Sequence, residues 1–308
     1  MKYLKLVRYQ NLLLLALMQL IFRFGFLKFQ NIPLALADWQ YALLIISTVL
    51  LAAGGYIIND IFDQATDNEN KPKKVFIGKS IAETTAYNFY IGVNIIGVGI
   101  GFYLSNVIQK PGFAAVFILI SATLYIYASG LKQMLLVGNL VVALLLAFSV
   151  LLIGVFDLYP AIHEGNRAIM GVLFKILLDY AIFAFLINFI REIVKDMEDV
   201  NGDYNQGMNT MPIAIGVGRT AKIVFTLGII AVLLILNYIN SYLMEFGLYY
   251  ATIYVLLLVL APLLFFVMKV WTAKTKKDFH FLSTLLKWVI FFGILSIFAI
   301  TLNIQFNA

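Results

Sequence analysis

The stretch LLVGNLVVALLLAFSVLLIGVF, residues 135–156, decides the fold class because its 22 residues include no charged side chain. A helix that crosses the hydrocarbon core of a bilayer, about 30 Å thick, needs about 20 mainly apolar residues. This segment therefore predicts a membrane-spanning helix, and similar apolar runs recur along the rest of the chain.

The composition of the whole chain also departs from that of a soluble protein. Hydrophobic residues make up 62% of the 308 residues and charged residues 12%, and the mean hydropathy is +0.93. Soluble domains average about 45–50% apolar and about 25% charged residues. Cysteine is absent, which excludes disulfide bonds and thiolate metal sites. The basic residues lie in short segments between apolar runs, so a nucleic-acid-binding face is not indicated.

The apolar runs predict an all-α, polytopic membrane protein whose nine helices form a bundle around a central cavity. Residues 1–308 are interpreted as one transmembrane domain. The nine predicted spans lie near residues 11–27, 40–58, 86–106, 113–128, 135–156, 169–190, 221–240, 247–268 and 282–304. The segment 113–128 is the shortest, and the count becomes eight if it does not cross the bilayer.

Lysine and arginine are distributed unevenly between the segments that join these spans. With the N-terminus inside, sixteen of the 22 lie in or beside inner segments, three lie in outer segments and three lie within spans. Basic residues concentrate on the cytoplasmic side of membrane proteins. The bias predicts a multi-pass protein of the cell (inner) membrane with its N-terminus and two longest loops in the cytoplasm.

Charged residues in or beside spans need an explanation, because each costs about 2.5–3.5 kcal/mol at the bilayer centre. Lys175 and Asp179 are four residues apart on the sixth span and predict either an ion pair or a lysine that extends to the membrane surface near the outer end, with a role in the cavity as the alternative. We expect Arg23 to extend towards the membrane surface. The lysines expected to contact anionic lipid headgroups are Lys269, Lys274, Lys276 and Lys277.

Acidic residues concentrate at the inner ends of the second and sixth spans. Nine of the sixteen Asp and Glu residues lie within residues 59–69 and 191–203. Both windows contain three aspartates spaced i, i+3 and i+7, displaced from each other by 136 residues. This spacing places each set on one helix face. The first aspartate ladder is Asp60, Asp63 and Asp67, and the second is Asp196, Asp199 and Asp203.

The repeated ladder indicates an internal duplication. Each ladder leads into a polar segment that ends in proline, at Pro72 after the first and at Pro212 after the second. We expect two pseudo-repeated four-helix units, about residues 11–128 and 135–268, and an extra C-terminal span at 282–304. Each unit would then contribute one half of a shared site.

Three carboxylates on one helix face repel each other unless a cation lies among them. Oxygen ligands without histidine or cysteine favour Mg²⁺ over zinc or copper. Mg²⁺ is usually held by one or two carboxylates together with phosphate oxygens of a substrate. We therefore predict that the two ladders, with the amide oxygen of Asn59, bind Mg²⁺, expected as two ions, and that the six aspartates act in catalysis.

Basic residues near the ladders fit a phosphate ligand. Lys74 follows the first ladder, Lys132 lies in a short inner loop, and Arg191 precedes the second ladder. We predict that these three contact a diphosphate or phosphate group, and that Lys132 also acts in catalysis.

These residues resemble the motifs of the UbiA superfamily of intramembrane prenyltransferases. Its NDxxDxxxD motif is similar to residues 59–67, and its DxxDxxxD motif to residues 196–203. Its Tyr…Leu-Lys…Gly-Asn segment is matched by Tyr125 or Tyr127, followed by Leu131, Lys132, Gly138 and Asn139. The resemblance covers residue 8 to about residue 220.

The resemblance also implies substrate contacts. Arg8 and Asn11 are similar to the family's N-terminal Arg-x-x-Asn element, and Lys74-Val75 stands where the family usually has Arg-Pro. The resemblance implies that Arg8, Asn11, Asn59 and Tyr125 bind substrate.

Residues 191–203, REIVKDMEDVNGD, are most similar to the branch that makes archaeal-type ether lipids, the geranylgeranylglycerol-phosphate geranylgeranyltransferases or digeranylgeranylglyceryl phosphate synthases. The resemblance implies Mg²⁺-dependent transfer of a prenyl group, expected to be geranylgeranyl, from an allylic diphosphate to the hydroxyl of geranylgeranylglyceryl phosphate. Prenylation of an aromatic quinone precursor is the alternative within the family. The expected partners are the prenyl diphosphate donor, the lipid-soluble acceptor and membrane lipids, without a protein partner.

A cation-coupled transporter is the rival class of function. Transporters place ionisable groups near the bilayer midplane. Here the ladders lie at the ends of spans, and Asp179 is the clear intramembrane acid. The positions of the acids therefore favour an enzyme.

Overall fold

The computed structural model describes residues 2–70 and 75–307, so Lys74, a predicted phosphate contact, lies outside the described residues. Within the described residues, nine helices are long and apolar enough to cross a membrane. They are α1 (Tyr9–Gln30), α2 (Asp38–Phe62), α3 (Glu83–Val107), α4 (Pro111–Ser129), α5 (Val137–Ala161), α6 (Glu164–Asn205), α7 (Val217–Met244), α8 (Tyr249–Val270) and α9 (Lys276–Phe306). The predicted all-α membrane fold is confirmed, and the chain is an integral, multi-pass membrane protein.

The first ladder lies where α2 gives way to a short helix, Gln64–Asn70. The turn at Asp63 does not interrupt the helical hydrogen bonds, because Asp63 N donates to Asn59 O at 2.9 Å and Asp67 N donates to Asp63 O at 2.8 Å. The ladder therefore follows a kinked continuation of α2 out of the apolar core.

The second ladder lies on an extension of α6. The α-helical part of α6, Arg167–Asn205, has 39 residues and is about 58 Å long at about 1.5 Å per residue. A hydrocarbon core is about 30 Å thick, so a large part of this helix lies outside it. The helix continues beyond the predicted end of the span at residue 190 and stops only before Gly207, which has a positive φ of 70°.

The helices form a ring around a central cavity of about 330 Å³. α2 packs against α3 and α4, and α6 packs against α5, α7 and α9. α1 closes the ring through contacts with α2, α5 and α9. In the described part of the chain, every long helix except α3 contributes side chains to the cavity wall. Asn59 and Lys195, the chain neighbours of Asp60 and Asp196, line this cavity, so both ladders begin beside it.

The prediction that Arg23 extends to the membrane surface is wrong. Its residue is 1% exposed, and its guanidinium forms an ion pair with Asp157 at the end of α5. The same group donates to the backbone oxygen of Leu36 at 2.6 Å and to Asp38 at 3.1 Å. The buried carboxylate of Asp157 compensates the charge of Arg23 inside the bundle, and only the fold brings the two residues together.

The predicted ion pair between Lys175 and Asp179 is not found within 4 Å among the described residues. Lys175 Nζ instead lies 5.4 Å from the centre of the Tyr242 ring on α7. Asp179 lines a separate cavity of about 140 Å³ between α6 and α7. The aromatic ring competes with the carboxylate for the ammonium group.

Candidate active site

Asp63, the middle residue of the first ladder, is held by two polar neighbours. Lys132 Nζ lies 2.5 Å from Asp63 Oδ1, and the lysine side chain is 8% exposed. Asn59 Nδ2 donates to Asp63 Oδ2 at 2.6 Å. Lys132 belongs to the single turn Leu131–Gln133 that joins α4 to α5, and α4 packs on α2. The fold thus places this lysine on the first ladder.

Asp60 is paired with Arg8, just before α1. Arg8 Nη2 lies 2.8 Å from Asp60 Oδ1, and its guanidinium carbon lies 4.8 Å from the centre of the Tyr56 ring. Asn11 donates to the Tyr56 hydroxyl at 3.2 Å. Burial lowers the pKa of Arg8, but the nearby charge of Asp60 contributes to a net rise, so the guanidinium stays protonated. The predicted Arg8 and Asn11 therefore meet at the first ladder.

The second ladder is contacted by side chains from the starts of α5 and α9. Asn139, at the start of α5, donates to Asp196 Oδ2 at 2.8 Å. Lys276 Nζ, at the start of α9, lies 3.7 Å from Asp199 Oδ1 and also donates to the backbone oxygen of Asn70 at 3.2 Å. The expectation that Lys276 contacts lipid headgroups is therefore corrected, because the fold turns it towards the ladders.

The two ladders lie at the same end of the bundle, and the segments that carry them contact each other. Asn70 Nδ2 donates to Asp203 Oδ1 at 3.2 Å, which joins the short helix after the first ladder to α6. Asn205 donates to Glu69 in the same region. One ligand can therefore meet groups from both ladders.

Among the described residues, no three acidic, histidine or cysteine side chains converge on one point. The ladder carboxylates instead contact ammonium, guanidinium and amide groups of the same chain. The donor set of six carboxylates and the Asn59 amide, without histidine or cysteine in either ladder, has the chemistry that Mg²⁺ requires. The residues present therefore fit a hard divalent cation.

The cavity has a charged end and an apolar remainder. Its charged and polar end includes Arg8, Asn59 and Tyr127, with Arg191, Glu192 and Lys195 from α6. Most of the other lining residues are Leu, Ile, Val and Phe. Along α1 the lining runs from Arg8 to Phe22, a distance of about 21 Å at about 1.5 Å per residue. This shape suits an amphiphile with an anionic head and a hydrocarbon tail.

The structure places Tyr127, and not Tyr125, in the cavity wall. Tyr125 is 43% exposed and packs against Phe62 and Tyr90, with ring centres 5.9 and 6.4 Å away. Residues two apart lie on nearly opposite sides of a helix. The choice of Tyr125 as a substrate contact is therefore corrected, since the sequence motif alone did not distinguish the two tyrosines.

Several polar residues of the cavity were missed at the sequence level. Glu192, Lys195 and Lys287 line it, and Asn70 joins the ladders. Lys287 carried a usable signal, because a lysine inside an apolar span usually has a functional reason. Asn70 carried none, since its contact with Asp203 depends on the approach of two distant segments.

The sequence profile of the UbiA prenyltransferase family matches residues 24–295 of this chain. The chain belongs to the UbiA prenyltransferase family. This membership confirms the predicted family and enzyme class, and the two aspartate ladders fall within the matched residues.

Relatives in the UbiA family carry the name digeranylgeranylglyceryl phosphate synthase. The one from Thermococcus gammatolerans is 34% identical over 181 residues, which are 59% of this chain and 59% of that relative. This chain thus spans less than two thirds of that relative's length. The one from Saccharolobus solfataricus is 31% identical over 295 residues, 96% of this chain and 94% of that relative.

Solved structures of UbiA homologues share the fold. A homologue from Aeropyrum pernix superposes with a TM-score of 0.66 at 15% identity and covers 97% of this chain and 98% of its own. A homologue from Archaeoglobus fulgidus bound to GPP and Mg²⁺ superposes with a TM-score of 0.58 at 15% identity, covering 96% and 99%. At this identity the likeness establishes the UbiA fold alone.

Proposed function

We propose that this chain transfers a geranylgeranyl group from geranylgeranyl diphosphate to the hydroxyl of geranylgeranylglyceryl phosphate. The observation that carries the proposal is the meeting of the two ladder-bearing segments at Asn70 and Asp203, beside the charged end of an apolar cavity. The name of the relatives, digeranylgeranylglyceryl phosphate synthase, supports the choice of acceptor.

In the proposed reaction, the bond between C1 of the prenyl chain and the diphosphate oxygen breaks. The hydroxyl oxygen of the acceptor forms the new bond to C1, the hydroxyl proton is released and diphosphate leaves. Lys132 and Arg8 present positive charge beside Asp63 and Asp60, where the leaving diphosphate is expected. The apolar cavity wall excludes water from C1 and favours the lipid hydroxyl over hydrolysis.

The site residues proposed to hold Mg²⁺ are the six ladder aspartates and Asn59, and two ions are proposed. When bound, Mg²⁺ supplies the positive charge that stabilises diphosphate as a leaving group. The relative from Archaeoglobus fulgidus bound to GPP and Mg²⁺ supports this choice of ion and of donor class. Lys74, Lys132 and Arg191 remain proposed contacts of phosphate groups.

The orientation and the duplication are also proposals. The sixteen basic residues on one side against three on the other support a cytoplasmic N-terminus and a cytoplasmic pair of ladders. The equal spacing of the ladders supports two pseudo-repeated units with one half-site each.

The test compares Asp63→Ala and Asp199→Ala with the unchanged protein in purified form. Each is incubated with Mg²⁺, labelled geranylgeranyl diphosphate and geranylgeranylglyceryl phosphate, and products are identified by mass spectrometry. We expect both variants to lose turnover by roughly a hundredfold or more, as is typical when charge stabilisation of a transition state is removed. EDTA should stop turnover, and added Mg²⁺ should restore it.

Glu245→Ala is the matched control, because Glu245 is an exposed carboxylate beyond the far end of α7. It should retain full turnover. Full turnover in Asp63→Ala and Asp199→Ala would reject the proposed role of the ladders. A product formed only with 4-hydroxybenzoate, dihydroxynaphthoate or homogentisate would reject the lipid acceptor, and uptake without chemical change would indicate a transporter.

A further inference from the structure

Lys287 is a charged residue within the membrane-spanning helix α9. It lies eleven residues after the start of α9, which is about 17 Å along the helix. Its half-buried side chain lines the central cavity together with Val289, Ile290 and Ile294. A lysine at membrane depth normally pairs with a carboxylate or a carbonyl oxygen, because an isolated charge there is unfavourable.

In the described part of the chain, the Lys287 ammonium has neither a hydrogen bond nor an ion pair. Arg191, a second cation in the wall of the same cavity, donates to the backbone oxygen of Ser283, one helical turn before Lys287 on α9. Repulsion between two cations in a low-dielectric cavity is unfavourable. This arrangement therefore points to an anionic ligand between α6 and α9.

Two further basic residues on α6 complete the group. Arg191 Nε donates to the backbone oxygen of Ser283 on α9 at 3.2 Å, which fixes the guanidinium between the two helices. Lys195 Nζ lies 2.6 Å from Glu192 Oε1, and Arg191 Nη1 lies 3.6 Å from the same oxygen. The side chains of Arg191 and Lys195 are 16% and 33% exposed. The cations Arg191, Lys195 and Lys287 and the carboxylate of Glu192 together carry a net charge of +2, which leaves two positive charges uncompensated within this group.

We propose that Arg191, Lys195 and Lys287 bind the phosphate group of the acceptor lipid, at a site separate from the aspartate ladders. A phosphate monoester carries about −1.5 to −2 charges at neutral pH, which matches the two uncompensated positive charges. The ladders, with six carboxylates, repel such a phosphate unless Mg²⁺ is present. This inference rests on the proposed function, since it specifies how that acceptor is recognised.

The position of the cations also suits a glyceryl phosphate headgroup. Arg191 lies five residues before Asp196 on α6, which corresponds to about 7.5 Å along the helix. Arg191, Lys195 and Lys287 all line the same cavity as Arg8 and Asn59. A phosphate held by the cations leaves the glyceryl hydroxyl of the same molecule near the ladders, where the donor is expected to react.

The test measures KM for each substrate in Lys287→Met, which retains much of the side-chain volume and removes the charge. We expect KM for geranylgeranylglyceryl phosphate to rise roughly tenfold or more, as for a lost hydrogen bond to a charged group. KM for geranylgeranyl diphosphate should stay unchanged. With geranylgeranylglycerol, which lacks the phosphate, the variant and the unchanged protein should have equal kcat/KM.

Binding is measured separately from turnover, as the thermal stabilisation of the purified protein by geranylgeranylglyceryl phosphate in EDTA. The stabilisation should be lost in Lys287→Met and in Arg191→Gln, and retained in Lys287→Arg. Lys277→Met is the matched control, because Lys277 is an exposed lysine on the same helix. It should behave like the unchanged protein in both measurements.

An unchanged acceptor KM in Lys287→Met would overturn the inference. A rise in the donor KM instead would also overturn it and assign the cations to the donor diphosphate. If the unchanged protein makes no product with geranylgeranylglyceryl phosphate, it is the proposed function that fails. The two failures are therefore distinguishable.

Discussion

At the scale of single residues, the side chain of Arg23 joins several segments that are distant in the sequence. One guanidinium contacts Asp157 at the end of α5, the backbone of Leu36 and Asp38 at the start of α2. Its carbon also lies 4.4 Å from the centre of the Tyr41 ring. The loop between α1 and α2 is thereby fixed to α5 at the end of the bundle opposite the ladders.

Arg23→Met should destabilise the protein, because it leaves Asp157 buried without its charged partner. Removal of one partner of a buried ion pair costs about 3–5 kcal/mol. Denaturant unfolding in detergent micelles, followed by circular dichroism, measures this loss. Arg167→Met, at an exposed position near the start of α6, is the control and should change stability little. Equal stability of the two variants would contradict the role assigned to Arg23.

The sequence located the ladder aspartates and Lys132, because carboxylates at repeated helical spacing and an isolated basic residue are visible without coordinates. It did not identify the partner of Arg23. Asp157 is 134 positions away along the chain, and nothing in the local pattern joins the two. The same limitation left Tyr125 and Tyr127 undistinguished, since the rotation of α4 depends on its packing against α2.

At the scale of helices, Gly202 on α6 lies against Asn70, the last residue of the short helix that follows the first ladder. A Cβ atom added there would lie 2.3 Å from Asn70 Oδ1. This is far inside van der Waals contact, so an alanine at this position would force the Asn70 side chain to move. The hydrogen bond from Asn70 to Asp203 depends on this approach.

Gly202→Ala should displace Asn70 and break its hydrogen bond to Asp203. We expect kcat/KM for the prenyl diphosphate to fall roughly tenfold, the size of one lost hydrogen bond to a charged group, about 1.5–3 kcal/mol. Steady-state kinetics in detergent measure the effect. Gly171→Ala on the same helix is the control, because a Cβ there meets no atom within 4 Å. If both variants have the kcat/KM of the unchanged protein, the hydrogen bond between Asn70 and Asp203 is not needed for donor binding.

The length of α6 was not predictable from hydropathy. The apolar part of the segment ends near residue 190, so hydropathy ends the span there, whereas the helical spacing of the second ladder predicts that the helix continues. The structure continues the helix to Asn205, because no proline or glycine interrupts residues 191–201 and the acidic face contacts other elements of the chain. Tertiary contacts thus extended the helix.

At the scale of the whole molecule, the depth of the cavity sets the length of the prenyl chain that can enter. Met18 and Phe22 on α1 and Phe117 on α4 line its apolar part, and these residues are 5%, 1% and 0% exposed. From Arg8 to Met18 along α1 is about 15 Å at about 1.5 Å per residue. A larger side chain at Met18 therefore shortens the space left for a hydrocarbon tail.

Met18→Trp should lower kcat/KM for geranylgeranyl diphosphate roughly tenfold or more, because overpacking a filled site typically costs about 1–3 kcal/mol. The value for the shorter geranyl diphosphate should change little. Competition between the two labelled donors, read by mass spectrometry, measures the ratio directly. Leu13→Trp is the control, since Leu13 is 62% exposed on the same helix. An unchanged ratio in Met18→Trp would place the prenyl chain elsewhere.

By itself, the sequence determined that this is an all-α, multi-pass membrane protein with two equally spaced aspartate ladders. Hydropathy, charge bias and helical spacing are local properties, so they need no coordinates. The tertiary structure decided which side chains meet: Lys132 with Asp63, and Asn70 with Asp203. These pairs join segments far apart in the chain, and their meeting depends on how each helix is rotated and packed within the ring.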